Sequence, residues 1–272
     1  MTNRIETRFT ALKAGNRKAL VPFITAGDPS REATVAIMHA LVAAGADLLE
    51  LGVPFSDPMA DGPVIQRSSE RALLRHVDTN YVFDTVREFR KTDPQTPVVL
   101  MGYLNPVEMR GIDRYAREAV AAGVDGVLLV DLPPEEAAPM RAAFNASALA
   151  LISLAAPTTS PERLARLARE SQGYLYYVSF AGVTGASDKL DAEQAMAKVA
   201  ALRGQSSVPV LIGFGIKDAA SAARLAPAAD GVVVGSALVE ILAGAATPAE
   251  AAARAGAFLA PIRDALDAKT QA

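Results

Sequence analysis

Residues 47–53 read DLLELGV, a short run that is apolar on both faces apart from two acids and that closes around Gly52. A strand with one solvated face alternates apolar and polar side chains, whereas a strand buried on both sides does not. The same texture recurs along the chain. ALVPFIT (19–25) precedes it, and PVVLMGY (97–103), GVLLVDL (126–132), LALISLA (149–155), GYLYYVS (173–179), VPVLIGF (208–214) and GVVVGSA (231–237) follow. These eight runs predict eight buried parallel strands.

Between the runs the apolar spacing becomes helical. Residues 30–44 offer Val35, Met38, Leu41 and Val42, and residues 80–90 offer Val82, Phe83, Val86 and Phe89. Residues 161–169 set Leu164 and Leu167 against Arg163, Arg166 and Arg169. Ser30 before Arg31-Glu32, and Ser160-Pro161-Glu162, are helix-start signals. Eight strand-then-helix units in about 250 residues match the count and size of an α/β fold of the (β/α)8 TIM-barrel type. An open doubly wound sheet is the structural rival. It usually has fewer strands and a Gly-rich first turn, where this chain reads TAGDPS (25–30). No composition shift or linker divides the chain, which predicts one domain over 1–272. An extra amphipathic helix is expected at about 3–13, with Ile5, Phe9 and Leu12 over the bottom of the barrel. Short additional helices are expected in the loops. An alanine-rich helix at about 247–267 carries Phe258, Leu259, Ile262 and Leu266, and a frayed tail follows at about 268–272.

Composition narrows the chemistry. The absence of cysteine excludes disulfides, thiolate metal sites and a cysteine nucleophile. Two histidines, His39 and His76, speak against a histidine zinc site and a Ser-His-Asp triad, and His39 reads as a packed or solvated helix residue. A net charge of -3 gives no electrostatic reason to expect nucleic acid or an anionic membrane as partner. The N-terminus has scattered charges and no apolar h-region, so a cytoplasmic protein is expected.

In a barrel of this type the active site lies at the C-terminal ends of the strands. Those ends supply Glu50, then a long loop with Asp57 and Asp61; Tyr103 and Asn105; Asp131; Tyr176 and Ser179 before GVTG; GFG; and GS. Gly213-Phe214-Gly215 and Gly235-Ser236 stand where barrels bind phosphate through backbone N–H groups, with Gly185 adding a further donor. The alternative is that the glycines serve only tight turns. Glu50 sits among leucines. Facing the barrel mouth it would have a carboxyl raised toward neutrality, as suits a general acid/base; facing elsewhere it would be a buried acid paired with an arginine or a backbone N–H. Asp61 in an Asp-Gly sequence also reads as a plain turn. No lysine ends a strand except Lys217, expected in the next helix, which disfavours a Schiff-base aldolase, and no His/carboxylate cluster supports a metal-dependent one.

The block LLELGVPFSDPMADGPVIQ (48–66) resembles the signature of tryptophan synthase alpha chains. So do PFITAGDP (22–29), LMGYLNPV (100–107), VDLPPEE (130–136), APTTS (156–160), GVTG (182–185), GFGI (213–216) and GSALV (235–239), in the family's order. The resemblance implies a lyase that splits indole-3-glycerol phosphate into indole and glyceraldehyde 3-phosphate. By position it implies Glu50 as the acid/base that protonates C3 of the indole, and Asp61 as acceptor of the indole N–H. It places Phe23, Ile65, Met101, Tyr103, Tyr176 and Val233 against the substrate, Thr184 in a closing loop, and Gly185, Phe214, Gly215, Gly235 and Ser236 at the phosphate. It implies no metal or cofactor in this chain, and a pyridoxal-phosphate-dependent beta chain as partner in a complex of two alpha and two beta chains, met by 53–62, 103–108 and 131–136. Two departures from the family pattern are Ser179-Phe180-Ala181 before GVTG and Arg67-Ser68-Ser69, expected at a surface near the pocket rim. The alternatives are another phosphate-binding barrel, a stand-alone lyase, or a non-catalytic subunit that activates a beta chain.

Overall fold

The computed structural model describes residues 3–178, 188–213 and 215–268, with backbone alone over 188–195. The eight runs form eight parallel strands: β1 (Ala19–Thr25), β2 (Leu49–Gly52), β3 (Val98–Gly102), β4 (Gly126–Leu129), β5 (Ala150–Ala155), β6 (Leu175–Val178), β7 (Val210–Gly213) and β8 (Gly231–Val234). They pair in chain order, and β8 returns to β1 to close the barrel. Both faces are apolar because both are covered. Val21, Leu48, Val99, Leu128, Tyr174, Leu211 and Val233 fill the interior. The alternate residues, such as Leu20, Leu49, Leu100, Val127 and Ile212, pack under the surrounding helices.

Helix α1 (Arg4–Ala14) begins at Asn3, whose side chain accepts the Ile5 N–H. Its Ile5, Phe9 and Leu12 join the interior cluster, so this helix plugs the N-terminal end of the barrel. A 3-10 turn (Arg31–Ala33) leads into α2 (Thr34–Ala43). This late start turns the buried face to Ile37, Met38 and Leu41. Val35, expected in the core, is half-buried instead. Helix α3 (Pro63–Leu73) follows the long loop after β2 and leads to α4 (Thr79–Arg90), which buries Val82, Phe83, Val86 and Phe89 as expected. His39 packs on the Phe89 ring at 4.8 Å, a helix-packing residue. Helices α5 (Leu104–Arg110) and α6 (Ile112–Ala122) follow β3, and α7 (Ala137–Ala146) follows β4. Helix α8 (Pro161–Glu170) starts on Ser160, which accepts the Arg163 N–H as its cap. Then come α9 (Asp188–Arg203), α10 (Ala219–Leu225), α11 (Ser236–Ala243) and α12 (Pro248–Ala268). Leu259, Ile262 and Leu266 of α12 are buried. No described helix is long and apolar enough to cross a membrane.

One device recurs at the N-terminal rim. A side chain one to three residues before an even strand accepts a backbone N–H of the preceding odd strand: Leu20 donates to Asp47 at 3.0 Å, Val98 to Asp125 at 2.9 Å, Leu151 to Gln172 at 3.0 Å and Val210 to Asp230 at 2.9 Å. Each bond satisfies a donor at a strand start that would otherwise lack a partner. Three of these acceptors also hold arginines: Asp47 pairs with Arg263, Asp125 with Arg4 and Arg90, and Asp230 with Arg203. The frame that carries the strand ends is therefore pinned from below.

Candidate active site

Glu50 lies on the interior face of β2, in register with Phe23 of β1 and Val99 of β3. It is fully buried. Its Oε1 accepts the Tyr174 hydroxyl at 2.5 Å, and its Oε2 has no hydrogen-bond partner. Of the two orientations open to it in the sequence, it takes the interior one, and its partner is a phenol rather than an arginine. Burial pushes the carboxyl from the ordinary value of 4.5 up to about 7, and the Tyr174 bond opposes that rise. A group poised there holds or releases a proton at neutral pH.

Two tyrosines follow from the period of two along β6. Tyr174 and Tyr176 point into the barrel, while Leu175 and Tyr177 point out into the helix layer. Burial first, and then the Glu50 charge, push both interior phenols well above their usual range, so each keeps its proton. Tyr174 was not singled out in the sequence, although its spacing from Tyr176 places both on one face. Its ring lies 6.1 Å from Phe9 of the plugging helix. Tyr176 crosses β7 at Gly213, where an added Cβ would stand 1.9 Å from the Tyr176 hydroxyl. The first glycine of GFG thus makes room for a ring.

Asp61 ends the loop after β2. Its Oδ2 accepts the Tyr103 hydroxyl at 3.0 Å, and the same phenol oxygen accepts the Ala60 N–H at 3.0 Å. Phe55 stacks on the Tyr103 ring with centroids 5.0 Å apart, and Gln66 donates to the Asp61 carbonyl at 2.9 Å. Burial raises the Asp61 carboxyl, and the Tyr103 bond works against the rise. Tyr103, expected among substrate contacts, has its hydroxyl committed to this loop.

Val233 and Tyr176 belong to the interior cluster, with Met101 packed against it. Phe23 lies beside Gly52, where an added Cβ would stand 2.5 Å from its ring. Ile65 is half-buried on α3, apart from that cluster. Its carbonyl accepts the Ser68 hydroxyl, which also bonds Thr25 of β1 at 2.6 Å. Ser68 and Ser69 are therefore buried, against the expectation of a surface, because α3 is tied to β1; Arg67 alone of the three is exposed. Asp28 and Arg71 add a two-bond ion pair to the same tie, at 2.7 and 2.8 Å.

Gly235 precedes α11, and Ser236 opens that helix and is exposed. Gly215 has φ +58 and open space around its Cα, which frees its backbone to approach a ligand. Backbone N–H groups at a helix start beside an exposed hydroxyl suit an anion. Thr184, Gly185 and Phe214, together with Ser179-Phe180-Ala181, lie outside the described residues. Lys217 stands before α10 rather than in it, since Asp218 caps that helix by accepting the Ser221 N–H at 2.7 Å. No group of three or more His, Cys, Asp or Glu residues suited to a metal occurs among the described residues. A groove of about 870 Å³ opens at the opposite, N-terminal rim between α1 and the strand starts. Its Arg17, Lys18 and Arg203 are already bonded to Asp267, the Ala229 carbonyl and Asp230, so it offers little to a ligand.

Comparison with known proteins gives the family and the fold. The family model described as tryptophan synthase alpha chain matches residues 9–266. The tryptophan synthase alpha chain of Xanthomonas euvesicatoria pv. vesicatoria (strain 85-10) is 65% identical over 266 residues, covering 98% of this chain and 99% of that one. That of Xylella fastidiosa (strain 9a5c) is 66% identical over the same length and coverage. The crystal structure of tryptophan synthase subunit alpha from Legionella pneumophila str. Paris superposes with a TM-score of 0.91 at 47% identity, over 98% of this chain and 100% of that one. A structure of Mycobacterium tuberculosis tryptophan synthase gives 0.86 at 38% identity, over 98% and 99%.

Proposed function

Because the chain belongs to the tryptophan synthase alpha chain family, we propose that Glu50 and Asp61 are the pair through which it carries out the alpha reaction of tryptophan biosynthesis. The chain is a lyase of that pathway. The substrate in this reading is indole-3-glycerol phosphate, and the products are indole and glyceraldehyde 3-phosphate. The observation that carries the assignment is the Glu50 carboxyl: fully buried, one oxygen unbonded, and poised at about 7.

In its protonated form Glu50 delivers the proton to C3 of the indole ring, which turns the ring nitrogen into a stronger donor. Asp61, as carboxylate, accepts that N–H and offsets the positive charge of the protonated ring. The bond from C3 to the glycerol carbon then breaks with its electrons returning to the ring. The hydroxyl on that carbon becomes the aldehyde, and its proton passes to the Glu50 carboxylate. No net oxidation occurs, and Glu50 ends as it began. Tyr176 lies near the breaking bond, and Phe23, Ile65, Met101 and Val233 hold the indole. Gly215, Gly235 and Ser236, with Gly185 and Phe214, hold the phosphate.

An alpha chain implies a beta-chain partner. The loop after β2 and helix α5 form its seat in this proposal, in an assembly of two chains of each kind, with pyridoxal phosphate in the partner. Met59 at 85% and Met109 at 80% exposure support it, because adaptable apolar side chains left in water suit a protein interface. The test is release of glyceraldehyde 3-phosphate from indole-3-glycerol phosphate by the purified chain, alone and with a beta chain. Slow release that the beta chain accelerates is expected. Fast release unaffected by the partner would favour the stand-alone lyase, and none in either case would leave a non-catalytic subunit.

A further inference from the structure

Asp131, just past β4, is a strand-end acid of the sequence reading that the acid/base pair leaves without a task. Its Oδ1 accepts the Leu104 N–H at 2.8 Å, reaching from one strand-end loop to the next. Leu104 is the first residue of α5, and the preceding Tyr103 gives that helix no side-chain cap. Asp131 takes over that duty from a neighbouring loop and satisfies an N–H that the helix itself leaves free. The residue fixed between them is Tyr103. Its ring is buried under Phe55, and its hydroxyl sits between the Ala60 N–H and the Asp61 carboxylate, 3.0 Å from each. Burial first, then the Asp61 charge, and last the Asp131 charge hold the proton on the Tyr103 oxygen.

We propose that Asp131 is a positioning residue for the reaction: its bond to Leu104 sets Tyr103, and Tyr103 sets the Asp61 carboxylate and the loop that bears it. The inference rests on the role of Asp61 given above. Asp131 touches no reacting atom in this scheme, and its effect passes through one phenol.

The test pairs Asp131→Ala and Asp131→Asn with Tyr103→Phe. Asparagine keeps an oxygen that accepts the Leu104 N–H; alanine does not. Asp131→Ala should lower kcat about tenfold with KM changed little, whereas Asp131→Asn should stay within about twofold of wild type. In the Tyr103→Phe background, Asp131→Ala should add almost nothing, since both changes cut one path. Multiplying losses, an asparagine variant as impaired as alanine, or an unimpaired alanine variant would each overturn the proposal. Crystal structures of the two Asp131 variants give a readout independent of turnover. An Asp61–Tyr103 pair broken in the alanine variant and kept in the asparagine variant supports the relay; a pair intact in both contradicts it. Wild-type protein that fails to cleave the substrate would sink the functional reading, and these structures would still decide the relay.

Discussion

The Tyr174 hydroxyl lies 2.5 Å from Oε1 of Glu50 in a site where neither side chain reaches solvent. This one bond stabilises the carboxylate form and restrains the rise that burial imposes. Tyr174→Phe should therefore raise the Glu50 carboxyl further. The limb of the kcat/KM profile that reports Glu50 should move to higher pH, and an unmoved limb would remove Tyr174 from the account.

The same burial has a consequence for stability. A glutamate held at about 7 when folded, against 4.5 ordinarily, binds its proton more tightly in the native state. The Glu50 contribution to stability should therefore be full below pH 4.5, fall as pH rises from there through about 7, and level off beyond. At roughly 1.4 kcal/mol per tenfold, the loss reaches about 3 kcal/mol at most. Glu50→Gln removes the titrating group. In urea titrations the variant should gain on wild type from pH 4 to pH 8, and parallel curves would contradict the burial argument.

Gly213→Ala tests the crossing of β7 by Tyr176. An added Cβ at 1.9 Å from the hydroxyl forces the ring aside, because the other obstacles there are carbons of the same ring at 2.3 and 2.4 Å. Overpacking of this kind costs about 1–3 kcal/mol. A lower melting temperature with a fall in kcat is expected. Shortening Tyr176 in the same protein should restore the stability but not the rate.

At the opposite rim, Asp125→Ala strands the Val98 N–H and takes from the Arg90 guanidinium its carboxylate partner, leaving it only the carbonyls of Gly123, Asp93 and Thr96. Breaking a buried pair costs about 3–5 kcal/mol. Gln172→Ala loses only neutral bonds, those with Leu151 and with the exposed Asn145 side chain, with a cost of about 1–3 kcal/mol for the unpaired Leu151 donor. Denaturant titration should rank the two in that order, with kcat per folded molecule unchanged in both.

The barrel was legible because strands buried on both faces leave unbroken apolar runs, and eight of those at strand-helix spacing admit few folds. Glu50 was legible for the complementary reason, as an acid in a run of leucines. Its partner was less so. Tyr174 and Tyr176 share a face, but only the closure of the barrel, which sets β6 opposite β2, brings the first to Glu50. The rim acceptors Asp47, Asp125, Gln172 and Asp230 carry no local signal, since each bond crosses to a strand distant in sequence. Ser68 looked exposed because nothing local reveals its bond to Thr25. Lys217 was read into a helix that in fact begins after Asp218, which the Asp218–Ser221 capping pair foretells.

The most direct test of the central claim is the rate of indole-3-glycerol phosphate cleavage against pH, for wild type and Glu50→Gln, with a beta chain present. The account predicts a wild-type profile with a limb near pH 7. It predicts loss of that limb in Glu50→Gln, with a fall of about 10²- to 10⁴-fold or more, in a protein that still folds. A glutamine variant that cleaves at close to the wild-type rate would contradict it, and the proton would then have to come from elsewhere in the barrel.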